Sequence, residues 1–98
     1  MGILNFKSKL VEDLCLGINS KKLRALLPLE LHRIAIKKIQ IIRAAKNLND
    51  ISNFPGLKLE KLKGSRKDEY SIRINDQYRI CFNWDGRDAL NVNIEDYH

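Results

Sequence analysis

An alternation of apolar and polar residues with a period of two, in the second half of the chain, constrains the fold more than any other feature. It covers residues 70–74, 78–84 and 90–94, where every second residue is aromatic or aliphatic. A period of two is typical of strands that bury one face and expose the other. The intervening residues 75–77 and 85–88 are short segments with turn-forming Asn, Asp and Gly, which favours antiparallel hairpins. The second half is therefore predicted to form an antiparallel β-meander.

The two faces of this meander determine its register. A three-residue loop sets Ile74 against Tyr78 and brings every apolar residue to one side, whereas a two-residue loop would mix the faces. The same rule, applied to the last strand, pairs Trp84 with Leu90. Only a register of this kind gives the sheet one continuous apolar face.

On the opposite face, the three-residue register predicts that Arg73 lies directly across from Arg79, with Glu95 on the other side of Arg79. Two like charges in this position repel each other unless an anion lies between them. Glu95 can supply that anion, or the arginines can bind a phosphate, which a guanidinium matches with paired donors. The sequence leaves both alternatives open.

The first half shows helical periodicity instead. After a short strand predicted at residues 3–6, Ser8 can cap a helix that ends at Gly17, and Pro28 suits the first turn of a helix to about Ala45. The predicted apolar stripe of this second helix is Leu31, Ile34, Ala35, Ile41, Ile42 and Ala45, with His32 in solvent. Residues 20–24, 47–50 and 53–56 are predicted to be connecting segments.

The predicted fold class is α+β: a short N-terminal strand, two helices, and then an antiparallel β-meander with the helices packed on one face. At 98 residues, we expect a single domain over residues 1–98. No signal peptide or run of about 18 apolar residues is apparent, so we expect a cytoplasmic protein without a membrane partner. Cys15 and Cys81 are too few for a disulfide framework or a four-ligand metal site, and no cofactor is expected.

The charge favours a polyanionic partner. The formal net charge is +6, and the excess lies in the first half. Within the second half, residues 58–67 are also basic, with Glu60 as their only acid; this segment fits either phosphate binding or an edge strand protected by lysines. The chain ends in Asp96, Tyr97 and His98, whose side chains can donate and accept protons in general acid–base chemistry.

Three motifs together carry a family resemblance. They are L-E-K-L-K-G at residues 59–64, R-I-N-D-Q-Y-R-I-C-F at residues 73–82, and D-Y-H at residues 96–98. In combination they resemble the HigB toxins of the RelE/ParE superfamily of bacterial toxin–antitoxin systems. The resemblance covers nearly the whole chain and is most specific in the second half.

The resemblance implies a toxin that enters the A site of the 70S ribosome and cuts mRNA there without a metal ion, by attack of a 2′-hydroxyl on the adjacent phosphate. It also implies a HigA-like antitoxin as partner, which would tether the pair to operator DNA. We expect the antitoxin to contact the basic helices of the first half.

By position in the motifs, Lys63 and Arg79 correspond to phosphate-stabilising cations, and Asp96, Tyr97 and His98 to an acid–base and base-stacking group whose division of labour stays open. Glu60 stands where some relatives have histidine, and is either a base or a residue that orients Lys63. The expected RNA contacts are Arg73, Lys61, Arg66 and Lys67. Because strict alternation puts Asp96 on the core side, the chain is expected to twist or leave the sheet after Glu95.

Two other functions stay open. The ParE branch of the superfamily shares the fold but inhibits DNA gyrase without cutting RNA. A plain nucleic-acid-binding module would use the arginines and lysines alone, and would not need His98.

Overall fold

A computed structural model describes residues 2–66 and 68–96 and shows an α+β fold. The helices are α1 (Lys9–Cys15), α2 (Lys21–Leu26), α3 (His32–Ala44) and α4 (Leu48–Ser52), and short 3₁₀ turns lie at Leu29–Leu31, Pro55–Leu57 and Gly64–Arg66. The strands are β1 (Glu60–Lys61), β2 (Glu69–Arg73), β3 (Tyr78–Trp84) and β4 (Ala89–Asp96). They form one antiparallel sheet in the order β1-β2-β3-β4. The predicted fold class is confirmed.

Polar caps explain where the helices begin. The Ser8 side chain accepts a hydrogen bond from the Leu10 amide at the start of α1, as predicted. Ser20 and Asn47 cap α2 and α4 in the same way, so the prediction that these segments are only connections is wrong. No helix within the described ranges is long and apolar enough to cross a bilayer.

The core lies between the helices and one face of the sheet, and it includes Leu14, Leu23, Ile39, Ile42, Ile51, Ile72, Ile80, Phe82 and Val92. Two predictions about α3 are wrong. Ile34 is 42% exposed, whereas Ile39 is fully buried. His32 is only 9% exposed, because its ring has a backbone partner in the interior: its Nε2 lies 2.8 Å from the carbonyl oxygen of Leu27, which precedes the 3₁₀ turn that leads into α3.

The predicted N-terminal strand appears as two isolated parallel bridges alongside β4. Ile3 pairs with Ala89 and Phe6 with Val92. The Leu4 amide donates to the Ala89 carbonyl at 2.9 Å, and the Lys7 amide to the Val92 carbonyl at 3.0 Å. These residues therefore cover the β4 edge of the sheet.

The predicted register of the first hairpin is confirmed. Ile72 pairs with Ile80, and the Ile74 amide donates to the Tyr78 carbonyl at 2.9 Å across the three-residue loop. The predicted pairing of Trp84 with Leu90 is wrong, because a β-bulge between β3 and β4 moves the pairing by one residue, so that Trp84 pairs with Ala89.

Candidate active site

The face of the sheet that the helices leave uncovered carries several of the predicted site residues, among them Glu60, Arg73 and Arg79, and we call it the open face. Its side chains alternate with the core residues of each strand: Glu60 on β1, Glu69, Ser71 and Arg73 on β2, Arg79, Cys81 and Asn83 on β3, and Asn93 and Glu95 on β4. Strand alternation therefore gathers cations, carboxylates and amides on a single surface.

Two arginines stand at the β2–β3 turn end of the open face. Arg73 and Arg79 are directly paired, as predicted. Arg73 forms an ion pair with Asp76. Arg79 Nη1 donates to the carbonyl oxygens of Asn75 at 2.7 Å and Tyr78 at 3.3 Å. The turn thus anchors both guanidinium groups at this end of the open face.

A lysine of α3 stabilises the β2–β3 turn from the helix side of the sheet. Lys38 Nζ donates to the carbonyl oxygens of Arg73 at 2.8 Å and Ile74 at 3.0 Å. Burial, and next the charge of Arg73, lower the pKa of this lysine. Lys38 was missed in the sequence, where it is one of several lysines on an amphipathic helix; only its place beside the apolar stripe distinguishes it.

A second cluster occupies the middle of the open face. Arg66 Nε and Nη2 donate to the Glu69 carboxylate at 3.0 and 2.9 Å. Its Nη1 and Nη2 also donate to Glu95, at 2.8 and 2.6 Å. These bonds lower the pKa of Glu69 and raise that of Arg66. Glu95, the anion that one alternative assigned to the paired arginines, therefore also binds Arg66.

Cys81 lies beneath this cluster. It is 4% exposed. Burial, followed by the charge of Glu95, raises the pKa of its thiol to about 11. A thiol that is protonated and covered is a poor nucleophile, so the chemistry of this face depends on its charged groups.

The β1 edge carries the remaining basic candidates. Glu60 pairs with Ser71 and Lys61 with Tyr70. Alternation puts Glu60 on the open face but Lys61 on the other side, with Tyr70, whose ring stacks on Phe82 at 6.1 Å. Lys63 follows the strand and is exposed. The segment is thus an edge strand with lysines, as one alternative proposed, and it also borders the open face.

Asp96 lies at the end of β4. It still pairs with Tyr78, and Gln77 Nε2 donates to its Oδ2 at 3.1 Å. The expectation that the chain leaves the sheet directly after Glu95 is wrong for Asp96, because the register of β4 continues to the start of β3. Its carboxylate is exposed beside the turn. Lys67, Tyr97 and His98 lie outside the described residues.

The open face can bind and polarise a phosphate, because it presents guanidinium groups at the turn and in the middle of the sheet. Glu60 adds a carboxylate at its β1 border, whereas Asp96 pairs with the core residue Tyr78 and so lies by alternation on the other side of the sheet. Within residues 2–66 and 68–96, no three His, Cys, Asp or Glu side chains come together in a way that could hold a metal ion.

Comparison with known proteins places this geometry in a family context. The profile of the family described as "RelE-like toxin of type II toxin-antitoxin system HigB" matches residues 5–98. "Toxin HigB-1" of Vibrio cholerae serotype O1 is 34% identical over 92 residues, which cover 94% of each chain. An "Uncharacterized protein" of Haemophilus influenzae is 30% identical over 69 residues, covering 70% of this chain and 68% of that one.

Proposed function

The chain belongs to the family of HigB-like, RelE-like toxins of type II toxin–antitoxin systems, and on that premise we propose that it is a ribosome-dependent endoribonuclease. It cuts mRNA in the A site of the 70S ribosome and thereby stops translation. A toxin of this type has an antitoxin as partner, and we propose a HigA-like one that also links the pair to operator DNA. The site of action is the cytoplasm, where the ribosomes are.

The observation that supports this proposal most is the register that sets Arg73 opposite Arg79 on the open face. Two facing guanidinium groups concentrate positive charge at this end of the uncovered face, where Asp76 already pairs with Arg73. A phosphodiester is an anion whose geometry suits their paired N–H donors. Arg79 is therefore proposed to bind the scissile phosphate, with Arg73 as an auxiliary contact to RNA.

The proposed reaction is a transesterification. A base takes the proton of the 2′-hydroxyl, the 2′-oxygen bonds to phosphorus, and the bond from phosphorus to the 5′-oxygen breaks. An acid protonates that leaving oxygen, so the products are a 2′,3′-cyclic phosphate and a free 5′-hydroxyl. Arg79 and Lys63 stabilise the charge that gathers on the phosphate. Asp96, Tyr97 and His98 are proposed as the acid–base and stacking group.

Glu60 has two proposed roles. Its position on the open face, opposite Ser71, fits a general base, and its place three residues before Lys63 fits a residue that orients the lysine. Arg66 and Lys67 remain proposed RNA contacts. For Arg66 that role competes with its two carboxylate partners. Lys61 fits least well, because alternation turns it away from the open face.

The basic first half is proposed to dock on ribosomal RNA, where lysines and arginines position a protein without reading sequence. Docking of this kind weakens as salt is added.

The test is cleavage of an mRNA programmed on 70S ribosomes, with the products mapped and their end groups identified by mass spectrometry. We expect cuts within the A-site codon that end in a cyclic phosphate, no cuts without ribosomes, and loss of cutting when His98 is deleted. Translation arrest with intact mRNA would contradict the proposal and favour occlusion. Inhibition of purified gyrase would favour the ParE-type function, and RNA binding that is independent of both ribosomes and His98 would favour a binding module.

A further inference from the structure

A groove with exposed apolar side chains runs beside α3, on the side of the molecule that carries the helices. Ile34 is 42% exposed and Phe54, which follows α4, is 48% exposed. They line a hollow of about 330 Å³ together with Lys37, Ile41, Pro55 and Leu57. Beyond Phe54, the surface continues as a second hollow of about 590 Å³ that reaches Ala44 and Asn53. We call these two hollows the α3 groove.

The α3 groove is separate from the candidate active site. Its walls are α3, Ala45, Asp50 and residues 53–57, whereas the candidate catalytic groups lie on the open face, across the sheet from the helices. Lys38 is the lining residue that also reaches the β2–β3 turn, where it donates to backbone carbonyl groups. RNA is also a poor occupant, because the lining between Ile34 and Phe54 is largely apolar. A concave surface of contiguous apolar side chains is typical of a protein interface.

The rim of the groove is basic. Lys37 lines both hollows and is exposed, and Arg33 precedes it by one turn of the same helix. No residue of α3 is acidic. Asp50 does line the groove, but its Oδ2 accepts a hydrogen bond from the Lys46 amide at 2.9 Å. A partner with acidic residues beside an apolar strip is therefore complementary in charge to this rim.

The spacing of the lining residues indicates the shape of the partner. Ile34, Lys37 and Ile41 follow one line along α3 over two helical turns, which is about 10 Å. A straight groove of this kind fits an amphipathic helix whose apolar side chains recur every three to four residues. We propose that the α3 groove is the docking site of the antitoxin, which inserts an amphipathic helix with acidic residues flanking its apolar face.

This inference goes beyond the proposed nuclease activity and does not depend on it, because binding of the antitoxin is measured without ribosomes. The probe is the antitoxin co-expressed with this toxin from the neighbouring gene, titrated onto purified toxin by calorimetry. We expect Phe54→Asp to raise the Kd by about 100-fold or more, since it puts a charge into the centre of the apolar contact. Lys37→Glu is expected to raise the Kd as well, and to make it less sensitive to salt.

The matched control is Leu16→Asp, because Leu16 is 69% exposed at the end of α1 and lies outside the groove. It should leave the Kd within about twofold of wild type. Equal effects of Leu16→Asp and Phe54→Asp, or wild-type affinity of Phe54→Asp, would overturn the proposal. Thermal unfolding of both variants checks that each remains folded.

A second measurement uses the unaltered toxin and so does not depend on any substitution. With isoleucine methyl groups labelled for NMR, addition of the antitoxin should shift the signals of Ile34 and Ile41. The signal of Ile18, which is 46% exposed in the loop after α1, should stay in place. A complex that leaves Ile34 and Ile41 unshifted would place the antitoxin elsewhere and overturn the inference.

Discussion

Arg66 shows how one side chain can organise a functional surface. Its guanidinium group bridges Glu69 and Glu95, which lie on different strands, and it does so above the buried thiol of Cys81. The arginine is 38% exposed, so solvent screens part of the attraction. We therefore expect these ion pairs to contribute little to stability. Their main effect is to fix the positions of both carboxylates on the open face.

The first prediction concerns the covering of Cys81. Arg66→Ala should speed alkylation of the Cys81 thiolate by iodoacetamide, because it removes the side chain above the thiol and uncovers a path for the reagent. Arg66 also lowers the pKa of this thiol, so the rates are compared per thiolate, from their dependence on pH. Alkylation followed by peptide mass spectrometry measures the rate at each cysteine. Cys15, which is half-buried next to Arg43, is the internal control and should react at an unchanged rate. Equal rates at Cys81 in both proteins would show that Arg66 is not its cover.

The second prediction concerns Gly2, which has a φ of +88°. A Cβ atom at this position would lie 2.1 Å from the carbonyl oxygen of Arg43. Gly2→Ala should therefore destabilise the protein by about 1–3 kcal/mol more than Gly17→Ala does. Gly17 is the matched control because it has a φ of +79° but open space around it. Denaturant unfolding measures both, and equal losses would contradict the predicted clash.

Which residues enter the core and which face the motif residues occupy could largely be predicted from the sequence, but the groups that these residues contact could not. Arg79 and Arg73 were placed correctly because the strand period alone determines their face. His32 and Arg66 were not, because each depends on groups distant in space: the Leu27 carbonyl for one, and Glu95 across the sheet for the other. Periodicity contains no information about such contacts.

At the scale of elements, β4 departs most from simple alternation. Asn91, in the bulge, has a φ of 53°. Its side chain accepts from Asn5 Nδ2 at 3.0 Å and donates to Asn83 at 3.0 Å. Asparagine tolerates this left-handed conformation better than other residues that have a side chain. The bulge is thus specified by a residue suited to it, although the sequence pattern alone predicted an unbroken register.

The third prediction tests that account. Asn91→Val should destabilise the protein by about 1–2 kcal/mol, since a β-branched residue is strained at positive φ. Asn91→Gly should cost less, because glycine adopts this conformation freely and loses only the amide contacts. Thermal unfolding of the two variants shows which of them is the more stable. If Asn91→Gly were the less stable of the two, strain at positive φ would not be what specifies the bulge.

Short elements were the hardest to predict. Helices α2 and α4 have 6 and 5 residues, too few for a periodic pattern to stand out. Each is recognisable only by a capping side chain and one fully buried residue, Leu23 and Ile51. Since helices this short are unstable alone, their formation depends on the core that they join.

At the scale of the whole molecule, acid stability should depend on the cluster of the open face. The Arg66 hydrogen bonds hold the pKa of Glu69 below its ordinary value of 4.5. A carboxyl group whose pKa is lowered on folding stabilises the protein above its unfolded pKa and loses that effect as the pH falls through the folded pKa.

The fourth prediction follows from this direction of the pH dependence of stability. Glu69→Gln should lower the free energy of unfolding at pH 7, and its difference from wild type should shrink as the pH falls below about 4.5. Urea unfolding between pH 7 and pH 3 measures the difference. Asp68→Asn is the control, since Asp68 is exposed and adjacent in sequence. A difference for Glu69→Gln that stays constant over this range would contradict the lowered pKa.

The two sides of the sheet have different roles in the whole molecule. Helices and core lie on one side of the sheet and the charged open face on the other, and this division was predictable because the strand period is strict.

The fifth prediction tests the central claim, that Arg79 on the open face acts on the RNA phosphate. The measurement is the single-turnover rate of mRNA cleavage on 70S ribosomes. Arg79→Ala should lower this rate by about 10²- to 10³-fold, as expected for loss of one donor to the developing charge. Arg87→Ala removes the same charge at the far end of β3, from a side chain that is 75% exposed, and should cleave nearly as wild type does. Equal rates for Arg79→Ala and Arg87→Ala would contradict the assignment of the open face as the active site.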